Sequence, residues 1–212
     1  MKFTKNTLLK DILNLPCFRQ MSEQFIASST GDWFHGKDSL SLAGLQQQNP
    51  TWYWEDVAYG LNRLQEIALG GDRYVYRISE SACLIHLPAE NRRYKEYAIL
   101  NAGGAYGAVC TMVEALPTAA KLNELGMDCF CLNYRTATPD SFIDGLMPKP
   151  LEDLALAWKY IKSNEVALRL DAENYIVGGF SAGGHLTAMW GAENHGARHF
   201  GIPNPRALLL AY

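Results

Sequence analysis

Between about Trp52 and Leu69 the apolar residues Trp54, Val57, Leu61, Leu64 and Ala68 return at spacings of three and four. That spacing places them on one face of a helix. Asn49-Pro50-Thr51 supplies a stop and an N-cap, Glu55 and Asp56 suit the first turn, and Gly70-Gly71 ends the segment. Shorter helical stretches are predicted over Thr7–Leu15 and Ser39–Gln48. From Asp72 onward the texture changes. Arg73–Ile78 and Ala82–Leu87 are β-rich runs separated by Ser79-Glu80-Ser81, a hairpin pattern. Tyr97–Leu100 is a short apolar run before a glycine-rich loop, Asn101–Gly107. A helix is predicted within Thr111–Leu125, with Thr111 and Glu114 spaced as a capping box, Pro117 delaying or kinking it and Gly126 closing it.

Asp128–Tyr134 reads as a buried strand and Thr136–Pro150 as a loop. Pro150 opens a helix that lines one face with Leu151, Leu154, Trp158 and Ile161. Tyr175–Val177 is a strand, Ser181–Trp190 a helix and Ala207–Ala211 another buried strand. Strands alternating with helices predict a doubly wound, mainly parallel α/β sheet with helices on both faces. The change of texture divides the chain into a helical region, residues 1–71, and an α/β domain, residues 72–212. Trp33, Trp52, Tyr53 and Trp54 load the first region with aromatic side chains. Such a region is a layer packed on the main domain or a cap over its site.

Composition narrows the function classes. The chain has 212 residues, 48% hydrophobic and 19% charged, enough for a sizeable core and unlike a disordered segment. A net charge of −3 without a Lys/Arg run excludes the phosphate-binding face of a nucleic-acid protein. The apolar runs are strand-sized, far short of the roughly 20 residues that span a bilayer. Lys10 and Asp11 interrupt what would have to be a signal peptide, so a cytoplasmic start is expected. The five cysteines, Cys17, Cys83, Cys110, Cys129 and Cys131, have no zinc-type spacing and read as small buried residues in a reducing compartment.

The chemistry concentrates in Tyr175-Ile-Val-Gly-Gly-Phe-Ser-Ala-Gly-Gly-His-Leu186. Gly179-Phe180-Ser181-Ala182-Gly183 is a G-x-S-x-G motif set between a predicted strand and a predicted helix. A serine nucleophile on so tight a turn needs neighbours nearly free of side chain two residues to either side. The helix behind it favours developing negative charge. Upstream, Asn101-Ala-Gly-Gly-Ala-Tyr-Gly107 offers backbone that can approach a reacting carbon and donate N–H groups to an oxyanion. That loop lacks the G-x-G-x-x-G of a dinucleotide site and the Gly-Lys-Ser/Thr of a P-loop.

From about Arg73 to Tyr212 these motifs resemble the α/β-hydrolase-fold serine esterases, in the branch with acetyl esterases, hormone-sensitive-lipase-like and kynurenine-formamidase-like enzymes. Gly179–Leu186 is similar to that branch's nucleophile elbow. Ala102-Gly-Gly-Ala-Tyr106 stands where the branch has His-Gly-Gly-Gly-Tyr or Pro-Gly-Gly-Gly-Tyr, and Asn133-Tyr134-Arg135 and Pro150-Leu-Glu-Asp153 also match its wording. The resemblance implies Ser181 as nucleophile and the N–H groups of Gly104, Ala105 and Ala182 as oxyanion donors. It implies Tyr106 as a substrate contact, a small ester as substrate and neither a metal nor an organic cofactor. Ala105 replaces the branch's third glycine, keeping a donor but adding a methyl toward the acyl pocket.

The resemblance also implies an acid and a histidine later in the chain. No Asp follows Ser181; Glu193 is the one later acid, and His185, His195 and His199 are the later histidines. Glu193, His195 and His199 come earlier than the fold would place a triad, and the branch carries a histidine at the His185 position without using it as base. The expectation is therefore a hydrolase-like domain incomplete at its C-terminus, with Asp and His supplied by a further segment or a second chain. Three readings stay open: a carboxylic-ester hydrolase, an amidase or peptidase on the same scaffold, and a non-catalytic domain that binds a ligand or partner.

Overall fold

The computed structural model describes residues 2–18, 39–71, 73–137 and 146–212. Its helices and strands are α1 (Leu9–Leu13), α2 (Leu42–Gln48), α3 (Trp54–Leu69), β1 (Val75–Arg77), β2 (Cys83–Leu87), β3 (Tyr97–Asn101), α4 (Ala115–Glu124), β4 (Asp128–Asn133), α5 (Lys149–Ser163), α6 (Glu165–Leu168), β5 (Tyr175–Phe180), α7 (Ala182–Gly191) and β6 (Ala207–Ala211), with a short 3₁₀ turn at Ala197–Phe200 before β6. The strands form one sheet in the order β1-β2-β4-β3-β5-β6. β1 and β2 form the predicted hairpin, and Ser79 Oγ accepts from the N–H groups of Ser81 and Ala82 across its turn. β2 pairs antiparallel with β4; β4, β3, β5 and β6 run parallel. The mainly parallel α/β architecture read from the sequence is the one observed.

The connection through α4 moves one way along the sheet, and those through α5 and α7 move the other. Right-handed crossovers therefore set α4 on one face and α5 and α7 on the opposite one. β2, β3 and β4 are buried along their whole length, and the polar residues they carry, His86, Asn101, Asp128 and Asn133, are buried with them. β6 departs from its expectation. It is an outer strand paired on one side to β5, and Leu209 and Leu210 are 46% and 59% exposed. An apolar composition announces a strand but not which of its edges is covered.

The amphipathic face of α3 lies inward: Val57, Leu61 and Leu64 are buried and Trp54 is half-buried. It packs against α4 so closely at Gly60 that a methyl there would lie 3.0 Å from Pro117 N. Tyr53, rather than Thr51, precedes the first turn of α3, and Gln46 Oε1 accepts the Trp54 N–H. Trp52 is buried while Tyr53 is exposed; Trp33 lies outside the described residues. Phe3, Leu9, Ile12, Leu42 and Leu45 join the same apolar cluster as the sheet, so the described N-terminal helices share its core.

Pro117 occupies the third position of α4, where its missing N–H costs no helical bond. The capping box expected at Thr111 and Glu114 is absent. Thr111 donates to Asn133 Oδ1 instead, and Glu114 faces the glycine loop. All five cysteines are free thiols, and burial pushes the Cys110 thiol up to about 12.

A buried charge cluster ties the sheet's other end. Asp128, fully buried at the start of β4, accepts from His86 Nε2 at 2.9 Å, Ala89 N at 3.0 Å and Arg92 Nη2 at 2.5 Å. Burial alone would raise its carboxyl; the hydrogen bonds from His86 and Arg92 outweigh it and hold the group below its ordinary value. A depressed folded value means the cluster stabilises fully above the unfolded carboxyl value, near pH 4, and loses that contribution as pH falls through the folded one. Urea titrations from pH 7 to pH 2 should show that acid loss, and Asp128→Asn should shrink it. The variant should also cost roughly 1–3 kcal/mol at pH 7, since it removes the carboxylate shared by buried His86 and half-buried Arg92. An unchanged acid profile would refute this assignment.

Candidate active site

Ser181 stands between the last residue of β5 and the first of α7, with φ 49° and ψ −118°. An L-residue occupies that region only when its surroundings leave no alternative, and the packing here supplies the reason. A methyl on Gly179 would lie 2.0 Å from Gly183 O, and one on Gly183 would lie 2.1 Å from Asn101 O. Both motif glycines are thus demanded by backbone passing within contact distance. Ser181 N–H donates to Ala211 O at 3.0 Å, and its carbonyl accepts from His185 N at 2.9 Å, so β6 and α7 both hold the turn. The side chain is left exposed.

The glycine loop lies directly beside it. A methyl on Gly103 would come within 2.8 Å of Ser181 Cβ and 2.7 Å of Phe180 O. Gly104 O accepts from Gly107 N and Ala108 N, closing the loop into a compact turn in which Gly104, Ala105 and Tyr106 have φ values of 131°, 51° and 58°. Among the described residues, no acceptor takes the N–H of Gly104, Ala105 or Ala182. The three donors named from the sequence sit on the two turns that meet at Ser181. Ala105 is exposed.

Tyr106 is half-buried, its hydroxyl 2.8 Å from His185 Nδ1 and its ring edge-on to Tyr134; burial pushes its phenol up to about 12, so it remains neutral. Tyr134 donates to Ala102 O at 2.6 Å, and Ala137 N donates to Tyr106 O. The two further stretches that matched the family wording bind each other. Arg135 donates through Nε to Asp153 Oδ1 at 2.9 Å and through Nη2 to Glu152 at 2.8 Å, while Asp153 Oδ2 also accepts the Arg135 N–H. They buttress the strand end that carries Tyr134 under the loop.

The side chains of the later acid and of His195 and His199 bond away from Ser181 or face solvent. Glu193 pairs with Arg198 at 3.5 Å, His199 packs edge-on to Phe200 and His195 is exposed. His86, with Asp128, looks like a catalytic pair but sits at the N-terminal end of the parallel strands, whereas Ser181 is at their C-terminal end. Among the described residues no imidazole is hydrogen-bonded to Ser181; His35 falls outside them. The sequence reading missed Glu114. Its buried carboxylate accepts Gly103 N–H through Oε2 at 2.6 Å and the Tyr212 hydroxyl through Oε1 at 2.6 Å.

The family model BD-FAE matches residues 84–201, which include the glycine loop, the Tyr134-Arg135 stretch and the elbow. The chain belongs to the BD-FAE family. A curated relative, Endo-1,4-beta-xylanase B of Butyrivibrio fibrisolvens, is 33% identical over 84 residues, 40% of this chain and 13% of that protein. Two solved structures share the fold. One is an alpha/beta hydrolase enzyme from a Medee basin deep-sea metagenome library, 24% identical with TM-score 0.52 over 64% of this chain and 54% of its own. The other is a sugar hydrolase, YeeB, of Lactococcus lactis, 21% identical with TM-score 0.52 over 63% of this chain and 53% of its own. This BD-FAE chain thus has the α/β-hydrolase fold and spans about half the length of those two structures. Among its described residues, no helix is long and apolar enough to cross a membrane.

Proposed function

We propose that this BD-FAE chain is a serine carboxylic-ester hydrolase working through an acyl-enzyme. The observation that carries the reading is Ser181 held at φ 49° beside three N–H groups for which the described residues offer no acceptor. Ser181 Oγ attacks the ester carbonyl, its proton passes to a base, and the carbonyl oxygen becomes an oxyanion received by Gly104, Ala105 and Ala182. Collapse expels the alcohol, which takes the proton from the base. Water, deprotonated by the same base, then attacks the acyl carbon; the Ser181 Oγ–acyl bond breaks, the carboxylic acid leaves, and the base returns its proton to Oγ.

The base and its orienting acid come, in this reading, from outside residues 1–212, on a further segment of the polypeptide or a second chain. In support, His185 Nδ1 faces Tyr106, and Glu193 pairs with Arg198. The substrate is a small short-acyl ester. An acetylated sugar is the first choice, a preference supported by the stretch similar to a protein named as a xylanase. Tyr106 contacts the substrate from the loop.

The test uses the protein expressed from its complete reading frame, with p-nitrophenyl acetate and acetylated xylo-oligosaccharides as substrates. Hydrolysis should be saturable and should fall by up to about 10⁶-fold in Ser181→Ala, the order seen when a serine nucleophile is removed. Ligand binding by a folded protein that shows no Ser181-dependent hydrolysis would favour the non-catalytic alternative.

A further inference from the structure

We infer that Glu114 is a positioning residue that sets the glycine loop in register with Ser181. The inference rests on the acyl-transfer reading above and extends it to a residue that never touches substrate. Glu114 immediately precedes α4, at φ −123° and ψ −69°, and makes no capping bond to its own helix. Its carboxylate reaches the loop, and one oxygen accepts the Gly103 N–H at 2.6 Å. A carboxylate accepting from a backbone N–H makes a short, strong, charge-assisted bond. The N-terminus of α4 behind it favours its negative charge.

Gly103 is the loop residue that abuts Ser181, with no room for a methyl between Gly103 and Ser181 Cβ. With the Gly103 N–H committed to Glu114, the peptide plane at Gly103 is fixed, and the chain turns through Gly104 at φ 131° and Ala105 at φ 51°. Among the described residues, neither of their N–H groups has an acceptor. Without the carboxylate, Gly103 would keep its carbonyl bond from Cys110 N but lose the bond that fixes its N–H beside Ser181.

The second oxygen of Glu114 ties this to the elbow by another route. It accepts the Tyr212 hydroxyl at 2.6 Å, and Tyr212 follows Ala211, whose carbonyl accepts Ser181 N–H at 3.0 Å. Serine turn, end of β6, Tyr212, Glu114 and glycine loop therefore form a closed ring of contacts. A displacement of the nucleophile and a displacement of the oxyanion donors are coupled through one carboxylate.

Three variants test the inference: Glu114→Ala, Glu114→Gln, which retains an acceptor for Gly103 N–H, and Tyr212→Phe. In the full protein with p-nitrophenyl acetate, Glu114→Ala should lower kcat roughly 10- to 100-fold with KM within about twofold, less than the 10²–10³ for deleting an oxyanion donor outright. Glu114→Gln should recover most of the rate, and Tyr212→Phe should lie between wild type and Glu114→Ala. Amide hydrogen exchange supplies a readout that needs no catalysis. Gly103 should exchange at least tenfold faster in Glu114→Ala than in wild type, with β3 and β4 amides unchanged. A Glu114→Ala protein that loses thermal stability while kcat and Gly103 exchange stay at wild-type values would overturn the inference. So would equal losses in the Gln and Ala variants. If Glu114→Ala does not fold, the Gln and Tyr212→Phe variants decide by the same readouts. If Ser181→Ala hydrolyses like wild type, the nucleophile reading fails, and the exchange measurement alone decides whether Glu114 registers the loop.

Discussion

Gly179→Ala should lower the thermal midpoint of the domain by roughly 10 °C or more. The added methyl would meet Gly183 O at 2.0 Å, Gly183 C at 2.4 Å and Thr187 Oγ1 at 2.4 Å. Two of those three atoms are backbone, so no rotamer change relieves the overlap. Either β5 withdraws from α7 or the turn at Ser181 opens. A core clash of this kind belongs among the exceptional substitutions that cost at least about 4 kcal/mol. For a chain of this size each kcal/mol moves the midpoint about 2–4 °C. Gly184→Ala is the matched control, because its methyl would find its nearest atom, Ala211 O, at 3.3 Å. Circular dichroism melts of both variants should therefore differ sharply. A Gly179→Ala midpoint within a degree or two of wild type would contradict the packing assigned to the elbow.

The other large effect concerns the base. If the base lies outside residues 1–212, as proposed, those residues alone should hydrolyse activated esters about 10²- to 10⁴-fold more slowly than a protein that includes it, the usual range of general-base assistance. The expectation follows from bonding around Ser181, where the described histidines are engaged elsewhere or solvated. Comparing kcat/KM for the two proteins, each against its Ser181→Ala variant, measures the gap. Brisk turnover by residues 1–212 that disappears in His185→Ala, His195→Ala or His199→Ala would place the base inside this sequence and reverse the assignment.

What the sequence discloses and what it conceals divide along physical lines. The elbow was legible because its demands are local and steric. Two glycines must flank the serine, and a strand must lead into a helix, all within a dozen residues. The Ser79–Ser81 hairpin and the face of α3 were legible for the same reason, since each is a short-range pattern. Glu114 has the spacing of a capping box with Thr111, but it makes no capping bond. Its actual partner, Gly103, lies 11 residues upstream and is found only once the loop has folded back. The Asp128 cluster draws on three separate segments, with His86 and Asp128 42 residues apart, so no window of sequence displays it. Burial of β6 was misjudged because composition cannot tell a central strand from an outer one.

The central claim is that Ser181 is a nucleophile presented to an oxyanion site. Its most direct test is intact-mass spectrometry of the complete protein after exposure to an alkyl fluorophosphonate, followed by peptide mapping. The account predicts one adduct per chain, located on Ser181 and absent from Ser181→Ala. No adduct on a folded protein, or the same adduct in Ser181→Ala, would contradict it.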